Sequence, residues 1–400
     1  MRFSSKPRER FFSPDWLLLL AVLGIMLFGA AFIYSASAAA ESNLALPWYK
    51  QFYAKQIIWY GFGLGAAILV NLVDYHVLTR WAMVAYWGTI ALLIFVLLFG
   101  KEVYGAKRWI SLGLFQLQPS EFSKIAVILA LGQFLSRPVD ELRLPGNFFK
   151  ALGMTLLPFI LILKEPDLGS ALVLLPVCLV MLFVAGTPVK YLARLVGIFS
   201  LLAALFLVDV LFAPPQWQIK LQDYQRHRLL VFFGKDFAPP NATEEEKAYY
   251  RRLQRDKSYN VEQALISVGS GGLMGKGWRQ GKQNALGFLP RAVAHNDFIF
   301  SVIAEEKGFI GSVIVVALYS VILFTGIRIA GEARDRLGKL LAAGVVALLF
   351  GHVFINIGMN IRIMPVTGVP LPLMSYGGSS VLCSLIAIGI LHNIHLYRRS

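Results

Sequence analysis

The residues best suited to chemistry stand where a polar loop meets an apolar helix, at His295-Asn296-Asp297-Phe298-Ile299-Phe300. Three apolar side chains follow Asp297. Such surroundings raise a carboxyl's pKa towards that of a useful general base. His295, Arg291 and Lys282 are near in sequence. An Asp here is also a good helix cap, so residue type alone leaves base and cap both open. Glu305 and Glu306 follow about two turns on, at membrane depth, where ionisable groups are costly and mark functional candidates.

Four more segments put Gly, Pro and charge where apolar runs end. The first is Gly105-Ala106-Lys107-Arg108-Trp109, followed by Gln118-Pro119-Ser120-Glu121-Phe122-Ser123-Lys124. Pro119 fits the first turn of a helix, and Glu121 and Lys124 are three apart and so placed to pair. The second, Lys164-Glu165-Pro166-Asp167-Leu168-Gly169-Ser170, sets two carboxylates at a span end, with Asp167 a candidate cap. The third, Gly269 to Gly277 around Lys276, has glycines that let backbone N–H groups approach an anion or simply make a tight turn. It is no nucleotide loop, because Gly277 stands where Ser or Thr is required. The fourth runs from Met364 through Pro365, Pro370 and Pro372 to Ser375 and Ser380. Three prolines so close exclude regular helix, and the segment reads as a re-entrant loop lining a cavity or as a surface connection.

The elements that position these residues are membrane spans. The chain is 57% hydrophobic, 15% charged and has a mean hydropathy of +0.62, against ~25% charged in soluble domains. Apolar runs near the ~20 residues needed to cross a bilayer recur throughout. Ten spans are expected, at 16–37, 56–73, 81–99, 121–136, 150–163, 168–186, 192–213, 304–329, 340–357 and 377–395. The first is too long for a signal peptide and is read as a span. The fold class is therefore all-α: a polytopic integral membrane protein of about ten helices, with re-entrant outer segments. One membrane domain covers 1–400, with a tail at 1–15 and a large loop at 214–296 between spans 7 and 8.

Sixteen Lys and Arg lie in the tails and short loops of one side and seven in those of the other. The positive-inside rule then puts both termini in the cytoplasm and the large loop outside. That loop carries 13 Lys and Arg between Lys220 and Arg291. The net charge of +15 would suggest nucleic acid in a soluble protein. Here it reads as topology plus affinity for an anionic substrate, with no nucleic-acid partner. Cys178 and Cys383 sit in apolar runs and offer neither a disulfide framework nor metal spacing.

Taken together, these segments resemble the SEDS family (shape, elongation, division and sporulation), the RodA/FtsW/SpoVE-like cell-wall polymerases. The resemblance covers nearly the whole chain. It rests on Gly105–Trp109, Gln118–Glu121, Pro166–Gly169, the glycine run 269–277, Phe288–Pro290, His295–Phe300, Ala304–Glu306 and Pro370–Ser379. Gly275-Lys276-Gly277-Trp278 and the run from Gly358-Met359 to Pro372 resemble the RodA branch. Departures are Asn296 where Thr is usual, Lys307 where Leu is usual, and Arg362.

The resemblance implies a peptidoglycan glycosyltransferase that polymerises lipid II, the disaccharide-pentapeptide on undecaprenyl diphosphate, for cell elongation and rod shape. It implies a class B penicillin-binding protein as transpeptidase partner, further elongation-complex membrane proteins, and a bacterial inner-membrane location. It also places the essential carboxylate at Asp297. Lys107, Arg108, Trp109, Glu121, Lys124, Asp167, Lys276, His295 and Ser375 are the expected substrate-binding set, with the cations meeting the diphosphate. No cofactor motif is identifiable; a divalent cation, Mg or Mn, held with help from Glu121 and Asp167 stays open. Rival readings are a lipid II flippase and a non-catalytic scaffold for the penicillin-binding protein.

Overall fold

The structure, a computed structural model, describes residues 14–38, 46–103, 106–111, 116–213, 223–238, 242–289 and 293–398. Each expected span coincides with one helix. These are α1 (Trp16–Ala38), α2 (Phe52–Leu72), α3 (Ala82–Phe99), α4 (Pro119–Leu135), α5 (Pro145–Lys164), α6 (Leu168–Val184) and α7 (Val189–Phe212). Two helices of the large loop follow, α8 (Asp223–Phe233) and α9 (Glu244–Ser270). The last three spans are α10 (Ile299–Glu332), α11 (Arg336–Asn360) and α12 (Gly378–Tyr397). Seven of the ten are long and apolar enough to cross a membrane by length and composition. The remaining three are α2, α4 and α6; the last two have only 17 residues each.

Burial decides which helices form the centre. In α11 and α12, 78% of the most apolar window is buried; in α7 only 6% is. The sequence of α11 explains its place. Gly344 lies against Ile128 of α4 and Met181 of α6, and Gly351 against Val173 of α6. Small residues let helix backbones approach closely, which is how spans pack when lipid removes any net hydrophobic drive. The α2–α12 contact follows the same rule, with Gly63 against Leu385 and Gly389 against Ala67.

A three-stranded antiparallel sheet between α3 and α4 was not legible as strands in the sequence. Its order is β1 (Lys101–Val103), β2 (Ala106–Ser111), β3 (Gln116–Leu117), and Trp109 pairs with Lys101. In the large loop, Leu230, Val231, Phe237 and Val261 form a small separate core joining α8 to α9. A capping box of Thr243 and Glu246 starts α9.

Two irregular features matter for the site. Residues 361–377 carry no helix yet are largely buried, with Leu371, Met374 and Ser375 at most 2% exposed. Their backbone is satisfied by side chains from the surrounding helices, as non-helical chain at membrane depth requires. Tyr60 donates to the Leu373 carbonyl, Tyr319 to that of Pro372, Asn356 to that of Val369 and Gln56 to that of Ser375. The second feature is a break in α10 at Gly308, where φ is +63° and ψ −157°. The glycine run fills it. The amides of Lys276 and Gly277 donate to the carbonyls of Glu305 and Glu306, and Phe309 N donates to the Gly272 carbonyl.

Candidate active site

Asp297 sits in the turn 293–298 just before α10 and lines a cavity of about 350 Å³. It is not a cap: α10 begins at Ile299 behind Phe298 with no side-chain capping bond. Its backbone is pinned instead. The Asp297 carbonyl accepts from Asn356 and Asn360 of α11, both at 3.1 Å. The adjacent Asn296 carbonyl accepts from Ser375 Oγ at 2.6 Å, and the His295 carbonyl from the Tyr376 amide. The carboxyl faces Gly368; a side chain there would meet its Oδ2 at 3.6 Å. Burial pushes the Asp297 carboxyl up to about 6, opposed by the charges of Arg228 and Arg108 and reinforced by Asp167. A carboxyl at that value is mostly ionised at neutral pH and basic enough to take a proton.

The cavity is walled by both irregular loop and large loop. Arg228 and Val231 come from α8, Lys257 from α9, and Arg362 and Val366 from the segment after α11. Arg362 also donates to the Val231 carbonyl, which ties that segment to α8. Arg228 donates to the Thr367 carbonyl. The site thus offers one raised carboxylate among several cations, an arrangement suited to proton abstraction beside an anionic group.

The other expected residues divide into those near this network and those committed elsewhere. Arg108 donates to the carbonyls of Glu165 and Pro166, so its guanidinium is held on the α5–α6 turn, within electrostatic reach of Asp297. Trp109 is half-buried on β2; the side chain of Lys107 lies outside the described residues. Asp167 is the cap its type suggested. Its Oδ1 accepts from Ser170 N, and its Oδ2 from Gln118 and Ser120, which joins α6 to α4. Glu121 and Lys124 pair as their spacing anticipated, at 2.5 Å, and Lys124 also meets His352 Nε2 at 2.9 Å. All three are buried.

His295 is buried and stacked on Phe52, ring centroids 4.3 Å apart. Ser375 is a clasp: it accepts from Leu371 N and holds the Asn296 carbonyl. Lys276 does not line the Asp297 cavity. It pairs with buried Glu305 at 2.6 Å, and backbone amides of the glycine run donate to the carbonyls at the α10 break. Among the described residues no group of three or more His, Cys, Asp or Glu could hold a metal ion.

The family model described as a cell cycle protein, FtsW/RodA/SpoVE, matches residues 15–400. The chain belongs to this family. It is 34% identical to the peptidoglycan glycosyltransferase RodA of Treponema pallidum, over 95% of this chain and 97% of the relative. To the peptidoglycan glycosyltransferase MrdB of Escherichia coli it is 35% identical, over 96% and 94%. The rod shape determining protein RodA of Thermus thermophilus superposes with a TM-score of 0.66 at 30% identity, covering 98% of this chain and 99% of that one. A chain from a study of how a peptidoglycan synthase complex coordinates polymerization and crosslinking superposes with a TM-score of 0.75 at 30% identity, covering 96% and 98%.

Sequence reasoning missed several residues that the family fold gathers here. Arg228 and Lys257 were only two charges among many in a basic loop. Asn356 and Asn360 carried a readable signal: two amides four apart on one face of an apolar helix, which need partners inside a membrane. Glu165, already noted as one of two carboxylates at a span end, is fully buried, and among the described residues neither of its carboxyl oxygens has a hydrogen-bond partner. Burial, with Asp167 beside it, pushes it up to about 9, against the pull of Arg108.

Proposed function

We propose that this chain is a RodA-like peptidoglycan glycosyltransferase that polymerises lipid II, with Asp297 as its general base. The observation that carries the reading is the Asp297 carboxyl, held in a cavity beside Arg228 and Arg362 and pushed up to about 6. Ionised Asp297 takes the proton from the acceptor sugar's 4-hydroxyl. That oxygen bonds to the donor's anomeric carbon as the bond from this carbon to the diphosphate breaks. The lipid diphosphate is a good leaving group, so one carboxyl suffices where glycosidases use two. Arg228, Arg362 and Lys257 supply the cavity's positive charge towards the departing diphosphate, and Arg108 acts from the α5–α6 turn. Lys124 and Lys276 already have carboxylate partners and play supporting roles.

Asp167 already accepts three hydrogen bonds and Glu121 pairs with Lys124, so these carboxylates are committed. The large loop lies outside an inner membrane and both termini are cytoplasmic, as the excess of Lys and Arg on the opposite side supports. The partner is a class B penicillin-binding protein within an elongation complex. What supports this is the likeness to a chain from a peptidoglycan synthase complex.

The test gives purified protein, with its transpeptidase partner, labelled lipid II and resolves products on a gel. Wild type yields a glycan ladder and Asp297→Asn none. A ladder from the variant would remove Asp297 as base. Lipid II crossing vesicles without polymer, by either protein, would favour a flippase.

A further inference from the structure

A second cavity, of about 500 Å³, lies between α1 and α10 and shares no lining residue with the Asp297 cavity. Leu27 and Ala31 of α1 face Ile310 and Ile314 of α10 across it, and Trp278 and Met274 of the glycine run roof it. One turn below, α1 and α10 come together: a side chain at Gly24 of α1 would meet Leu318 of α10 at 3.4 Å. From Lys307 to Ile314 the cavity spans two turns, about 10 Å of a hydrocarbon core ~30 Å thick. A partner's transmembrane helix would need a groove through the whole core; a bounded apolar slot takes a hydrocarbon chain. It faces the membrane: Leu27 is 62% exposed, and Ile310 and Ile314 are each 41% exposed.

One charged side chain lines this slot, and it is the cation Lys307. The neighbouring acids make no ion-pair contact with it, although Glu306 lies within its electrostatic reach. Glu305 is paired with Lys276, and Glu306 accepts from Ser35 at 2.5 Å; among the described residues Lys307 forms no ion pair. Arg279, next to Trp278 in sequence, lies 5.3 Å over the Tyr34 ring. Trp278 and Tyr34 are 6.2 Å apart, aromatic neighbours of the kind that mark the headgroup level. An apolar slot in a lipid-facing wall, headed by an exposed lysine that makes no ion pair among the described residues, is complementary to one class of ligand. We infer that the α1–α10 slot binds an anionic phospholipid, with an acyl chain between the helices and the phosphate on Lys307.

Native mass spectrometry of the purified full chain tests this, titrating phosphatidylglycerol against phosphatidylcholine of the same acyl chains. Wild type should retain phosphatidylglycerol about fivefold better, the effect of one lysine on an anionic headgroup. Lys307→Leu should abolish the preference, and Ala31→Trp, which fills the slot, should lower retention of both lipids. Equal retention by wild type, or an unchanged preference in Lys307→Leu, would overturn the inference; the leucine variant changes only an exposed side chain and so should fold. Displacement of phosphatidylglycerol by a lower concentration of a polyprenyl phosphate would also overturn it, assigning the slot to an isoprenoid carrier.

Discussion

At the scale of single residues, the raised Asp297 carboxyl sets catalysis against stability. Its folded value of about 6 stands above the ordinary 3.8, so folding favours the protonated form. The stability this lends is complete below pH ~3.8 and is lost as pH rises through about 6. With each pKa unit worth ~1.4 kcal/mol, up to ~3 kcal/mol works against the fold at pH 7. Asp297→Asn removes that burden. It should raise Tm at pH 7, and the gain should vanish below pH ~4. Polymerisation by wild type should meanwhile rise with pH through a midpoint near 6, as a base must lose its proton to act. A variant less stable than wild type at pH 7 would mean that the ionised carboxyl is paid for by contacts the cavity's cations provide.

Glu165 tests the same physics without a catalytic role. Its carboxyl is buried, without a hydrogen-bond partner among the described residues, and pushed up to about 9 from 4.5, so it stays neutral at pH 7 in the folded protein. The unfolded chain ionises it near 4.5, and stability should therefore fall between pH ~4.5 and about 9 and then level. Glu165→Gln should flatten that slope in a series of thermal melts. A slope unchanged by the amide would show that another group carries it.

At the scale of elements, the broken α10 and the glycine run act as one unit. A break leaves carbonyls and amides unpaired at membrane depth, each costly in hydrocarbon. The run returns partners to Glu305, Glu306 and Phe309 while Lys276 pairs with the Glu305 side chain. Only glycine permits this approach at position 275, where φ is +81° and a Cβ would lie 2.2 Å from the Glu306 carbonyl oxygen. Gly275→Ala is thus expected to destabilise by more than ~1 kcal/mol, seen as a lower Tm. Polymerase activity should fall with the folded fraction only, since the run does not line the Asp297 cavity. A well-folded but inactive Gly275→Ala would return the glycines to the substrate.

At the scale of the whole molecule, what the sequence disclosed and what it hid have a common cause. Span positions follow from hydropathy, a local property, and every expected span has its helix. The capping role of Asp167 and the Glu121–Lys124 pair were legible for the same reason, since spacing within a few residues decides them. The pairing of Lys276 with Glu305 was not legible, because the two are 29 residues apart. Arg228 meets Asp297 only because α8 folds back over the segment after α11. Such contacts between distant elements leave no local mark.

The segment 361–377 is where those distant contacts concentrate. It takes hydrogen bonds from Tyr60 and Gln56 of α2, Tyr319 of α10 and Asn356 of α11, and its own Ser375 holds the turn that carries Asp297. Three span helices and the turn that carries Asp297 therefore share one irregular support. Tyr319→Phe deletes a single hydroxyl far along α10 and leaves the buried Pro372 carbonyl without that donor, at a cost of ~1–3 kcal/mol. If the support acts as a unit, hydrogen exchange should quicken together in 366–376 and in 293–298, although Tyr319 touches neither Asn296 nor Asp297 by any hydrogen bond. Faster exchange confined to the neighbours of Pro372, with polymerisation unchanged, would show instead that the bonds from Asn356 and Asn360 keep the Asp297 turn in place without that support.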